Sequence, residues 1–146
     1  MNAMESKLLT AARVLVVILP LCLIGGRVAV DVALSLTAIL FLVHSFRTRD
    51  WQWTRRTWFR IATLLWLWML LISPFAYEPR LSFTQAGPWI RFVIFAAALE
   101  HWVLDEIWMR RLLWTTTAAV AFVAGDTWLQ YLTGTDLLGH PRPEPE

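Results

Sequence analysis

Three ionisable side chains lie inside apolar stretches of this chain: Asp31, Arg91 and Asp126. A charge taken out of water is costly, so each such residue is expected to pair with another charge, to line a hydrated cavity or to bind a ligand. At about 1.5 Å per residue, Arg91 sits roughly 8 Å from one end of its apolar segment and Asp126 roughly 10 Å from the corresponding end of its own, so their depths match. One reading is an interhelical ion pair that satisfies both. The other is that Arg91 faces a cavity and takes an anionic head such as a diphosphate, for which the planar guanidinium offers paired donors. Both hold together if Asp126 orients an Arg91 that also contacts ligand. Asp31 lies one turn beyond Arg27, and an i,i+4 pair between these two is a local alternative.

Other chemistry is absent from the pattern. His44, His101 and His140 are far apart in the chain and by topology do not all share one face of the membrane, which argues against a metal cluster. Cys22 is the single cysteine, the serines lack an adjacent base, and no Gly-rich phosphate loop or Cys-x-x-Cys occurs. No catalytic residue, metal or cofactor is assigned. The run Arg47 to Arg60 (RTRDWQWTRRTWFR) interleaves five arginines with Trp51, Trp53 and Trp58. In a soluble protein that would suggest stacking on nucleic acid. Here it joins two apolar segments, where indoles sit at headgroup level and arginines meet anionic lipid, so membrane lipid and not nucleic acid is the expected partner.

The elements that must position these residues follow from composition. The chain is 58% hydrophobic and 16% charged over 146 residues, with 10 Trp and 8 Phe. A soluble domain carries about 25% charged residues. An all-α polytopic transmembrane bundle is predicted, with about five spans at 8–26, 28–46, 61–77, 86–104 and 112–133. Pro20 marks a kink in the first, Gly25-Gly26 breaks it, and Arg27 marks the turn into the second. The basic segment 47–60 forms a loop, and the Pro-rich tail 134–146 cannot continue a helix. Lys7, Arg13, Arg47, Arg49, Arg55, Arg56, Arg60, Arg110 and Arg111 fall on one side of this arrangement, against Arg27, Arg80 and Arg142 on the other. The positive-inside rule then puts the N-terminus in and the C-terminus out. The first apolar stretch is read as a signal anchor, because a second follows at once and no small-x-small cleavage site is present.

The stretches Gly87-Pro88-Trp89-Ile90-Arg91-Phe92 and Ala96-Ala97-Ala98-Leu99, followed by Asp126-Thr-Trp-Leu-Gln130-Tyr131-Leu-Thr-Gly134-Thr-Asp136-Leu-Leu-Gly139, resemble the N-terminal part of the O-antigen ligase and O-antigen polymerase family. The resemblance implies an inner-membrane protein of lipopolysaccharide biosynthesis that handles a glycan linked to undecaprenyl diphosphate, with no metal, cofactor or nucleotide sugar. It implies that Arg91 engages the carrier diphosphate, with Asp126, Gln130 and Asp31 as supporting polar residues. Family members have about twice as many spans and carry their catalytic His and Arg in a large periplasmic loop. This chain is therefore expected to be a truncated member, with the missing C-terminal half as a partner and no glycosyltransferase activity alone. The alternative is a small non-catalytic inner-membrane structural or assembly protein in which Arg91 and Asp126 form a structural pair.

Overall fold

The computed structural model describes residues 3–133, and these are helical apart from short connections, with no strand. Helix α1 spans Ala3–Gly25 and continues through Pro20. A single residue, Gly26, joins it to α2, Arg27–Thr48. The left-handed φ of 114° at Gly26 is one that side chains disfavour, which explains a glycine at so short a reversal. After α2 a 3₁₀ turn, Gln52–Arg55, leads into α3, Thr57–Ile72, which ends in a second 3₁₀ turn, Ser73–Phe75. The short α4, Pro79–Ala86, opens on a proline whose missing N–H would have no helical acceptor at that position. A 3₁₀ turn at Gly87–Trp89, helix α5 at Ile90–Ala98 and a π-turn at Leu99–Val103 form the next composite rod. The last helix is α6, Glu106–Thr133.

Asp105 starts α6. Its Oδ1 accepts the Trp108 N–H at 2.9 Å, a side-chain cap on a donor that the helix leaves unpaired. At the other end of α2, Arg49 takes the left-handed conformation, φ 56°, and stops the helix.

The helices pack in the order α6, α1, α2, α5, α3, with α4 against α3. Small side chains make the close approaches: Ala12, Ala33, Ala38, Ala97 and Ala98 are all buried. Ala12, Ala97 and Ala98 join Val16, Phe41, Trp53 and Val103 in one apolar core, displaced towards the end of the bundle where α2 stops and α3 starts. Outside this core many large apolar side chains are exposed. Residues Leu64, Leu65, Trp68 and Leu71 of α3 are exposed, as are Leu113, Trp114, Val120 and Trp128 of α6. No residue of α3 is buried.

Three helical segments are long and apolar enough to cross a membrane, Met4–Ile24, Arg27–Thr48 and Thr57–Phe75. They correspond to the first three expected spans. The other two expectations are modified. The segment 86–104 is divided among a 3₁₀ turn, nine residues of α-helix and a π-turn, because Gly87-Pro88 interrupts its start and the ladder widens at its end. The segment 112–133 is the later part of α6, which begins six residues earlier. The expected loop 47–60 is also shorter: Arg47 and Thr48 finish α2, and Thr57 to Arg60 are the first turn of α3. The tail 134–146 lies outside the described residues.

Candidate functional site

Arg91 lies in the first turn of α5, and Asp31 in the second turn of α2. The two helices are neighbours, and one terminal guanidinium nitrogen of Arg91 donates to Asp31 Oδ1 at 2.9 Å. The expected partner, Asp126, is instead on α6, which packs on α1 and is separated from α5 by two helices in the packing order. Equal depth in two segments does not make them adjacent, and the pairing is corrected on that ground. The local Arg27–Asp31 alternative also gives way to the Arg91–Asp31 pair. Asp126 and Gln130 are one turn apart on α6, both half-buried, so they share a face, but that face is not the one on which Arg91 sits.

Arg91 is itself held on two sides. Its guanidinium lies 5.1 Å from the centre of the Phe92 ring, and the residue keeps 31% of its side-chain surface exposed. Its Nε is enclosed and has no acceptor. A donor left unmet in a buried position costs about 1–3 kcal/mol. Near the start of α5, Trp66 donates its indole N–H to the Ala86 carbonyl at 3.0 Å, which fixes the entry of the Gly87-Pro88 turn against α3. An open concavity of about 510 Å³, lined by residues including Ser73, Ser82, Gln85 and Trp89, lies beside that turn.

The opposite end of the bundle gathers aromatic and basic groups. Trp53 is buried and donates its indole N–H to Ser45 Oγ at 3.1 Å. Phe41 packs against Trp53 at 5.1 Å between ring centres, and Phe59 meets Trp53 edge-on at 4.8 Å. His44 stacks on Trp102 at 4.7 Å, while His101 Nε2 meets Asp50 Oδ2 at 3.0 Å. His44 and His101 thus lie at one end of the bundle, as the expected topology has them, while His140 lies outside the described residues. α2 and α5 run in the same direction, with Asp31 beside Arg91 near their starts and Asp50 beside His101 past their ends, so both finish at the same end of the bundle. Among the described residues no group of three ligand-type side chains is placed to hold a metal ion.

The His101 hydrogen bond, with the Gln52 N–H second, holds the Asp50 carboxyl below the ordinary carboxylate range. Trp58 donates to Glu100, and Arg56 Nε approaches the other oxygen of that carboxylate at 3.7 Å. Arg13 donates to the Val103 carbonyl at 3.0 Å and to Asp105 Oδ2 at 2.7 Å, which ties α1 to the start of α6. Arg13 and Arg111 also both lie over the Trp108 ring, at 5.3 and 4.5 Å. Sequence reasoning singled out the tryptophans of this belt but not Ser45, Asp50, Glu100 or Asp105. The signal available was their position: each is a small polar or acidic residue at a helix terminus beside an aromatic or basic run.

No family model matches the chain, and no curated protein or solved structure matches it either. None of these comparisons indicates the O-antigen ligase family, whose resemblance rests on the short motifs in 87–139. The Gly134 to Gly139 part of those motifs lies outside the described residues.

Proposed function

We propose that this chain is a multi-pass protein of the bacterial inner membrane that holds the anionic head of a lipid-linked glycan donor at Arg91, as the N-terminal membrane part of an O-antigen ligase-like or polymerase-like protein. The observation that carries the reading is the state of the Arg91 guanidinium. Asp31 anchors one terminal nitrogen, no acceptor among the described residues takes the other, and the residue is still partly open. An arginine oriented by a carboxylate and retaining unused donors suits a diphosphate, whose oxygens are strong, closely spaced acceptors. Arg91 also lies at the bundle end away from Lys7, Arg13, Arg47, Arg49, Arg55, Arg56, Arg60, Arg110 and Arg111. Under the positive-inside rule the Arg91 end is then the outward one, the side on which family members transfer glycan. Asp126 and Gln130 are left as polar residues of α6 with no part in this site, and no residue is given a catalytic role.

The test is binding of an undecaprenyl diphosphate analogue to the protein in nanodiscs. Wild type is expected to bind saturably, Arg91→Ala to lose at least about tenfold in affinity, as for a charge-assisted contact, and Asp31→Asn to retain binding because the guanidinium stays in place. A folded wild type that binds no analogue overturns the reading.

The 2.9 Å pair itself favours a second reading, in which Arg91 and Asp31 serve only to fasten α5 to α2 in a non-catalytic membrane protein. In that case Arg91→Ala and Asp31→Asn lower the melting temperature alike, and neither affects a ligand.

A further inference from the structure

The reversal between α2 and α3 forms a groove at the bundle end remote from Arg91. Its walls include Arg49, Asp50, Trp51, Arg55, Arg56 and His101, and it encloses about 1020 Å³ of open space. Asp50 is the one acidic residue in the lining, and both its oxygens are already engaged. Oδ1 accepts the Gln52 N–H at 3.1 Å and Oδ2 meets His101 at 3.0 Å. Arg56 has only a long contact to Glu100, at 3.7 Å. Arg49 and Arg55 make no ion pair or side-chain hydrogen bond among the described residues. The groove thus presents guanidinium groups whose charge the protein does not neutralise.

Its edge continues into an apolar track. Trp51 meets Phe46 edge-on at 4.8 Å. From Phe46 the residues Val43, Ile39, Leu36, Val32 and Val28 follow at three- and four-residue intervals along α2, all exposed. That spacing puts them on one stripe of the helix, roughly 27 Å long at about 1.5 Å per residue. A soluble phosphate compound would use the groove and leave the stripe bare. A phospholipid would use both, with its phosphate among the arginines and an acyl chain along α2.

We infer that this groove is a specific binding site for an anionic phospholipid, whose phosphate is held by Arg49 and Arg55 and whose acyl chain lies on the Phe46–Val28 stripe. The site is separate from Arg91, so its success or failure leaves the glycan-donor reading untouched. Planar guanidinium groups bind phosphate oxygens in pairs, whereas a neutral zwitterionic headgroup offers its phosphate together with a repelling cation.

The experiment is native mass spectrometry of the full chain released from micelles containing equal phosphatidylglycerol and phosphatidylcholine. Wild type is expected to retain phosphatidylglycerol in preference. Arg49→Gln/Arg55→Gln is expected to bind it about thirtyfold more weakly, each basic group near an anionic headgroup contributing about a fivefold effect. Arg60→Gln/Arg110→Gln removes the same charge from the same end outside the groove and is expected to change little. Should the groove double variant not insert, Arg55→Gln alone carries the comparison. Equal losses in the two double variants, or no preference for phosphatidylglycerol in wild type, overturn a discrete site. Glycerol phosphate bound as tightly as the lipid overturns the acyl-chain assignment and makes the groove a site for soluble phosphate.

Discussion

Asp105 uses its two oxygens for different purposes, one to cap α6 and one to meet Arg13. Asp105→Ala loses both and is expected to lower stability by about 1–2 kcal/mol, the range for a lost N-cap. Asp105→Asn keeps the cap and loses only a half-exposed ion pair, so its melting temperature should fall between the two. Ser45 presents a buried analogue. Ser45→Ala strands the Trp53 indole N–H and is expected to cost about 1–3 kcal/mol, read as a shift in the denaturation midpoint in detergent. Asp50 adds a pH dependence. Its folded pKa lies below the ordinary value, so its contribution is complete at neutral pH and fades as pH falls through the depressed pKa. Melting followed from about pH 6 to about pH 2 should show an acid-side loss in wild type that Asp50→Asn lacks. None of these roles was legible beforehand, because a sequence shows that Asp105 precedes a helix but not that Arg13, 92 positions away, lies beside it.

At the scale of elements, hydropathy was a good guide where a helix is uniform and a poor one where it is composite. α1, α2 and α3 emerge near their expected places because long apolar runs leave the backbone no better way to satisfy its hydrogen bonds than a helix. The segment 86–104 reads as equally apolar, yet Gly87-Pro88 and the π-turn at Leu99–Val103 divide it. The π-turn carries Glu100 and His101 towards Trp58 and Asp50. Deleting one residue from Leu99–Val103 would restore a regular helix and rotate the following residues by about 100°. Loss of both contacts is expected, and with it a red shift of tryptophan emission as Trp58 and Trp102 meet a more polar environment. At the α1–α2 reversal the prediction differs. A Cβ on Gly26 would meet nothing within 4 Å, so Gly26→Ala suffers from its positive φ alone and should cost about 1–3 kcal/mol.

For the whole molecule, the packing order α6, α1, α2, α5, α3 decides which charges meet, and it is the feature least accessible to sequence reasoning. The charged residues were identified from their cost in an apolar segment, but their neighbours depend on how helices far apart in the chain are arranged. The order also leaves α3 on the outside with no buried residue. If lipid covers it, Leu64→Arg should raise the apparent free energy of inserting that segment by about 2.5–4 kcal/mol. In an aqueous setting, the same exposed substitution should change stability by less than about 0.5 kcal/mol. Glycosylation mapping of insertion separates the outcomes. Arg13–Asp105, Arg56–Glu100, Arg91–Asp31 and His101–Asp50 each join a residue before Ala76 to one after it. These pairs stitch the first three helices to the last three across the 76–78 connection, so two separately expressed halves already carry complementary partners. Co-produced fragments 1–76 and 77–146 should reassemble into a complex that copurifies, and raised salt should pull them apart more readily than it unfolds the intact chain.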